Sequence, residues 1–111
     1  DFAASFTYVA DVAAGLIAAC RAPALNFDLY HLGPGVNFTT SQVAAAVRTA
    51  VPGAVIELGP GTEPWTTYTA PRGPLAGERL QHDTGFTVGH SLEAGILEFA
   101  EWMRAHPETY R

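Results

Sequence analysis

The sequence predicts an α/β fold in which short strands alternate with helices. Two observations predict it: short runs rich in β-branched and aromatic residues, and longer runs with helical apolar spacing bounded by capping residues, Pro and Gly. Their order along the chain is strand, helix, strand, helix, strand, loop, helix, helix. With 111 residues, 48% of them hydrophobic and 15% charged, the chain is long enough for one small domain.

The first strand and helix occupy the beginning of the chain. Ser5 to Val9 is predicted to be a strand because it is rich in aromatic and β-branched residues. Asp11 is predicted to cap a helix over Val12 to Cys20, with its carboxylate accepting from the first free backbone amides. This capping role is favoured over a functional role for Asp11. Pro23 is expected to end the helix.

The second unit has the clearest helix boundary in the sequence. Asp28 to Leu32 is predicted to be a short buried strand. Thr39 with Gln42 three residues later forms the pattern of a capping box, in which each side chain accepts from the other residue's backbone amide. The helix that follows is predicted to reach about Ala50, where Pro52 and Gly53 stop it.

The last third of the chain combines a long loop with two helices. Ala54 to Leu58 is predicted to be a third strand, followed by a Gly-, Pro- and Thr-rich loop over Gly59 to Pro74, a length that is often functional. A short helix is predicted over Leu75 to His82. Ser91 is predicted to cap the final helix, whose apolar residues share one face: Leu92, Ile96, Phe99 and Met103.

The charge pattern and the lone cysteine exclude several classes of protein. The net charge is −5 and no basic run is present, which argues against binding nucleic acid or an anionic membrane surface. The most apolar stretch, Val12 to Cys20, is too short for a span that needs about 20 residues. Cys20 is the single cysteine and has no internal disulfide partner, so a cytoplasmic location is expected.

Four kinds of catalytic, cofactor or metal site have no complete pattern in the sequence. It contains no lysine, so no Tyr-x-x-x-Lys pair is possible, and neither Gly-Pro-Gly segment has the third glycine of a dinucleotide fingerprint. Its four histidines show no metal-ligand spacing. The segment 89–93 has Glu in place of the last glycine of a nucleophile elbow, so Ser91 is interpreted as a cap and a small hydrolase is set aside.

Three segments carry a resemblance to a known family. They are Phe6-Thr7-Tyr8-Val9-Ala10-Asp11, Tyr30-His31-Leu32-Gly33-Pro34-Gly35, and Asp83-Thr84-Gly85-Phe86 followed by Ser91-Leu92-Glu93-Ala94-Gly95-Ile96. In this order and spacing they resemble the C-terminal, substrate-binding part of the extended short-chain dehydrogenase/reductases, the NAD-dependent epimerases and dehydratases. His31 departs from the family pattern, which has Asn there. The resemblance covers essentially the whole chain.

The resemblance implies that residues 1–111 form a single partial domain without the Rossmann nucleotide-binding core. Residues 28–32 would then join the absent Rossmann sheet. The parent enzyme would use NAD or NADP, bound by its N-terminal Rossmann domain, for hydride transfer on a sugar-like substrate. No cofactor is expected on this chain alone, which would be inactive by itself. A homo-oligomer is expected, because an isolated fragment would have to cover its apolar helix faces and sheet edge.

The substrate contacts are expected in and beside the long loop. Arg72 is the first candidate because family members that act on nucleotide sugars often have Arg-Pro-Gly-Asp nearby, and a guanidinium suits phosphate or carboxylate. The present sequence has Arg-Gly-Pro-Leu at residues 72–75, so only the Arg matches that motif. Trp65 and Tyr68 are candidates for stacking, or else anchor the loop. Arg79 is a second candidate anionic contact, or else pairs with Glu78 or Asp83 or points to solvent. The alternative function is a free-standing α/β binding or interaction module without catalysis.

Overall fold

A computed structural model describes residues 2–59 and 72–110. Helices dominate this part of the chain, with one two-stranded sheet. Its elements are β1 (Ala3–Ala4), α1 (Val9–Arg21), β2 (Phe38–Thr39), α2 (Thr40–Ala50), α3 (Glu78–Thr84), α4 (Leu92–Ala105) and a final 3-10 turn (Pro107–Tyr110). The predicted contacts Trp65 and Tyr68 lie outside the described residues.

The sheet is small and joins the beginning of the chain to the entrance of α2. β1 and β2 are antiparallel, with Ala3 opposite Thr39 and Ala4 opposite Phe38. Thr40 extends the pairing, since its backbone N donates to the carbonyl of Phe2 at 2.9 Å. The first residues of the chain are therefore fixed against the helix that begins at Thr40.

The three strands predicted from the sequence are not strands in the structure. The segment 5–9 leads directly into α1, which includes Val9. Neither 28–32 nor 54–58 forms a strand. The prediction that the segment 28–32 is buried is also wrong, because Leu29 is 64% exposed. A β-branched or apolar run favours extended backbone, but a strand also needs a neighbour to accept its hydrogen bonds. That residues 28–32 pair with a sheet outside this chain stays a prediction.

Helix α1 begins earlier than predicted and ends where predicted. Its N-cap is Tyr8, which makes no side-chain capping bond, and Asp11 lies inside the first turn. The prediction that Asp11 caps this helix is therefore wrong, because its side chain bonds elsewhere. The helix ends at Arg21, with Ala22 as C-cap and Pro23 after it, as expected for a residue that cannot continue a helix.

Helices α2 and α4 have the predicted N-terminal caps. The amide of Gln42 donates to Oγ1 of Thr39 at 3.1 Å, and the amide of Thr39 donates to Oε1 of Gln42 at 2.8 Å, which completes the capping box. Ser91 Oγ accepts from the amide of Ala94 at 3.1 Å. Both predictions are confirmed. Helix α3 begins at Glu78, three residues later than predicted.

The core lies where α2 packs against α4, and small side chains form it. Ala44, Ala46 and Ala50 of α2 are its buried hydrophobic residues, and the remaining buried hydrophobic residue in the described part of the chain, Leu80, lies on α3. Near the end of α4, Arg104 Nη2 donates to the carbonyl of Ala50 at 2.9 Å and satisfies the free C-terminal end of α2.

Helix α1 has one packed face and one open face. Gly15 is buried, and a Cβ there would overlap Cδ1 of Leu32 and lie 3.2 Å from Cε1 of Phe86. The helix can therefore approach these two side chains closely only because residue 15 is glycine. On the open side, Val9, Leu16 and Ile17 are 69%, 60% and 49% exposed.

Candidate functional site

Asp11, in the first turn of α1, is a buried charged residue with 5% exposure. Its carboxylate accepts from the backbone amides of Gly89 and His90, both at 3.0 Å. It also contacts Nδ1 of His90 at 3.0 Å. Asp11 therefore caps a segment near the other end of the chain and ties the first turn of α1 to the residues that lead into α4.

His90 lies between two carboxylates. Beyond its contact with Asp11, its Nε2 lies 3.1 Å from Oε2 of Glu98 on α4. The ring of Tyr8 packs on the imidazole with centroids 4.7 Å apart and planes tilted by 56°. Tyr8 can reach this position because it lies against Gly95, where a Cβ would come within 3.2 Å of the Cβ and Cγ of Tyr8.

The pKa values of these groups follow from the contacts. Burial raises the pKa of the Asp11 carboxyl, but the hydrogen bonds from His90 and from the amides of Gly89 and His90 outweigh it and hold that pKa below its usual value. The hydrogen bond to Asp11 raises the pKa of His90, partial burial opposes the rise, and Glu98 adds to it. Burial, followed by the nearby Glu98 carboxylate, raises the pKa of the Tyr8 hydroxyl.

This group of residues borders an apolar cleft of about 400 Å³. Tyr8, Asp11 and His90 are part of its wall. The rest is mostly apolar and comes from the segments before and inside α1, α2 and α4: Phe6, Thr7, Val9, Pro34, Phe38, Val43, Val88, Ser91, Leu92, Glu93, Gly95, Ile96 and Phe99. Such a cleft suits an apolar group better than a sugar or a phosphate.

A second carboxylate, Asp83 at the end of α3, joins that helix to the segment around residues 26–30. Its side chain is 1% exposed. It accepts from the Tyr30 hydroxyl at 2.6 Å and from the backbone N and Nδ2 of Asn26, both at 2.9 Å. Nδ1 of His82 is 2.8 Å away. The hydrogen bond from Tyr30, with those from Asn26 and His82, holds the pKa of Asp83 well below its usual range.

Arg79, one of the predicted anionic contacts, lies on the exposed side of α3. Its guanidinium carbon is 4.3 Å from the centre of the Phe27 ring, a cation–π contact. It makes no ion pair with Glu78 or Asp83 in the described structure, so the alternative pairing is wrong. Arg79 lines a cleft of about 450 Å³ with Leu29, His31, Ala76 and Glu78.

Arg72, the other predicted contact in the described residues, is exposed. Its carbonyl accepts from Nδ2 of Asn37 at 2.7 Å, which fixes the backbone here against the segment that enters β2. It is not among the described residues that line the Arg79 cleft. The structure thus leaves its guanidinium available to solvent without bringing it into that cleft.

The sequence interpretation did not identify His90 and Asp83 as organising residues. Their partners are distant along the chain: Asp11 is 79 positions from His90, and Tyr30 is 53 positions from Asp83. One feature of the sequence did point to Asp83, because this residue begins the Asp-Thr-Gly-Phe segment that resembles the extended short-chain dehydrogenases. A local sequence pattern can indicate contacts between residues that are a few positions apart. These contacts join distant parts of the chain, so no such pattern indicates them.

Ser91, the serine of the sequence segment 89–93, is not placed as a nucleophile beside a base. Ser91 Oγ is used by its own helix as a cap. Among residues 2–59 and 72–110, no three metal-ligating side chains are grouped so that they could hold an ion. In the same residues, no helix has both the length and the apolar character needed to cross a bilayer.

Comparison with known proteins gives a likeness of fold. The fold matches part of the Bordetella bronchiseptica enzyme WbmF, whose crystal structure contains NAD+ and UDP, with a TM-score of 0.71 and 21% sequence identity. The match covers 96% of this chain and 30% of the WbmF chain. The chain has the fold of a C-terminal portion of such an enzyme. No family model and no curated protein matches it.

Proposed function

We propose that this chain is the substrate-binding C-terminal region of an NAD(P)-dependent epimerase, dehydratase or reductase that acts on a sugar or nucleotide sugar by hydride transfer. The observation that carries the proposal is the fold match over 96% of the chain to 30% of WbmF, an enzyme crystallised with NAD+ and UDP. The sequence resemblance to extended short-chain dehydrogenases supports it independently, since it rests on the three quoted segments.

The sequence carries no dinucleotide-binding fingerprint, since neither Gly-Pro-Gly segment has a third glycine at the required offset. Such a fingerprint brings the pyrophosphate close to the backbone at the start of a helix. The proposal therefore assigns the cofactor and the hydride-transfer step to a nucleotide-binding domain outside this chain.

The open face of α1 supports the presence of such a domain. Val9, Leu16 and Ile17 project from one helix and are each about half exposed or more. Leu29, in the segment predicted to join the Rossmann sheet, is also 64% exposed. Large apolar side chains left exposed on one helix are typical of a surface that another domain covers. In the proposed assembly, the nucleotide-binding domain covers it.

Two arginines of this chain are the proposed contacts for the substrate. Arg79 has a fixed position because its guanidinium lies on Phe27, and it opens onto a cleft. Arg72 is exposed at the end of the predicted substrate loop. A guanidinium can form two parallel hydrogen bonds with a phosphate, so these two residues are the proposed contacts for an anionic substrate group.

A titration of the isotopically labelled chain with UDP and with NAD+ tests the proposal. We expect amide shifts with UDP at residues around Arg79 or Arg72, weakened in Arg79→Ala and Arg72→Ala, and none with NAD+. Arg21→Ala, an exposed arginine at the end of α1, is the matched control and should bind UDP as the parent chain does. Binding that all three variants share would contradict the arginine assignment.

The hydride-transfer part has its own test. The isolated chain should not turn over any UDP-sugar in the presence of NAD+, because the Tyr-Lys pair is absent. Reading the coding sequence upstream separates this function from the free-standing module. A Gly-x-x-Gly-x-x-Gly and a Tyr-x-x-x-Lys in the same reading frame support the enzyme, whereas an initiator directly before residue 1 supports the module.

A further inference from the structure

His90 joins two helices through acceptors that both require a hydrogen from its ring. Nδ1 lies 3.0 Å from Oδ1 of Asp11, and Nε2 lies 3.1 Å from Oε2 of Glu98. An ionised carboxylate can only accept, and a neutral imidazole has a hydrogen on only one nitrogen. Both hydrogen bonds can therefore exist together only when His90 is the doubly protonated imidazolium.

We propose that His90 is a pH-sensitive clasp that ties the first turn of α1 to the middle of α4 when its ring is doubly protonated. The clasp consists of Asp11, His90 and Glu98. The inference concerns this chain alone and does not depend on the proposed function.

The two halves of the clasp respond differently to loss of the proton. Asp11 is buried and has no water to replace its donor, so the hydrogen on Nδ1 remains with it. The proton that leaves for solvent is the one on Nε2, whose lone pair then faces the carboxylate of Glu98. The Glu98 side chain is 54% exposed and turns to water. Deprotonation thus opens the contact with α4 and keeps the contact with α1.

The groups around His90 favour the charged form of its ring. The packed elements present Asp11 from α1, Glu98 from α4 and the Tyr8 ring and hydroxyl from the segment before α1. Glu93, at the start of α4, adds a further acid to the same cleft wall. In the described residues no arginine forms an ion pair with Asp11 or Glu98, so His90 is the cation that both of them contact.

The direction of the pH dependence follows. The hydrogen bond to Asp11 raises the pKa of His90 in the folded chain. A group with a raised pKa contributes stability that is complete below its unfolded value of about 6.5 and is lost as the pH rises through the folded value. The clasp is therefore closed at a pH below the unfolded value and opens as the pH rises through the raised folded value.

An NMR titration of the imidazole in the 111-residue chain tests the clasp. The His90 ring should titrate above the ordinary value of about 6.5, and both ring nitrogens should be protonated below that transition. Glu98→Gln should lower its pKa, because it removes one of the two carboxylates that favour the charged ring. Glu101→Gln removes the same charge from an exposed position on the same helix and should leave it nearly unchanged.

Glu98 is exposed, so its variant is expected to fold, which circular dichroism checks. A thermal melt gives a second readout: the melting temperature of the parent should fall as the pH rises through the His90 transition, and that fall should be smaller in Glu98→Gln. The proposal is overturned if His90 titrates at or below about 6.5, if one neutral tautomer persists below that pH, or if both glutamate variants shift its pKa equally.

Discussion

At the scale of single residues, Asp11 has a different role from the one its position in the sequence indicates. A carboxylate near the start of a helix normally caps that helix. Here Asp11 is buried, and its carboxylate oxygens accept hydrogen bonds from the backbone amides of Gly89 and His90. A buried carboxylate with charge-assisted hydrogen bonds is costly to leave unpaired. Its contribution is therefore to hold two distant segments together.

Asp11→Asn tests this role. The amide keeps one acceptor oxygen but loses the charge and places an NH2 group against two backbone donors and a ring, so unfolding free energy should fall by about 1–3 kcal/mol. Urea denaturation measures it, with the exposed Asp28→Asn as control. The pKa of Asp11 is depressed, so its stability contribution is present at neutral pH and is lost as the pH falls through the folded value. The variant should lose that acid dependence; an unchanged midpoint would contradict the role.

At the scale of elements, the caps of α2 and α4 could be predicted from the sequence, whereas the strands could not. The caps at Thr39 and Ser91 could be predicted because donor and acceptor are within three residues, so the sequence pattern contains the whole interaction. Whether the segments 5–9 and 54–58 form strands could not be decided from local sequence, because a strand needs a partner strand that is distant along the chain. Likewise the Asp11–Gly89 bond joins residues 78 positions apart, and no local pattern indicates it.

Helix α3 offers a test of one such distant tie. Asp83→Asn retains the shape of the side chain but removes the charge that accepts from Asn26 and Tyr30. We expect the amides of residues 26–30 to exchange with solvent faster, while amides of α2 keep their protection, as measured by hydrogen exchange. Because the pKa of Asp83 is lowered, the parent should show the same loosening as the pH falls through that value.

Glu78→Gln provides the matched control, since it removes a charge from an exposed position on the same helix. Equal exchange of residues 26–30 in the parent and in Asp83→Asn would show that Asp83 does not hold this segment. Loss of protection throughout the chain would instead show that the tie supports the whole fold.

At the scale of the whole molecule, the chain has a small core and a broad open surface. Four small or medium residues form the buried hydrophobic set of its described part, whereas α1 leaves Leu16 and Ile17 about half exposed. Burial of a large apolar side chain contributes about 1.5–3 kcal/mol. This surface is therefore a substantial source of binding energy for whatever covers it.

An isolated chain has only other copies of itself to cover that face. We expect concentration-dependent self-association in analytical ultracentrifugation, weakened about tenfold by Leu16→Glu, since a loss of about 1.4 kcal/mol corresponds to that factor. Val55→Glu, at an exposed position away from α1, should associate as the parent does. A chain that stays monomeric at every concentration would contradict an adhesive α1 face.

The Asp11 contact also has a consequence for the order of events during synthesis. A ribosome makes α1 before α4, but the amides that satisfy the buried carboxylate of Asp11 belong to Gly89 and His90. Until those residues leave the exit tunnel, Asp11 must stay hydrated and α1 cannot settle into its final position. This region therefore completes its fold only after residue 90 has emerged, and a chaperone that recognises apolar helices would find α1 accessible throughout that interval.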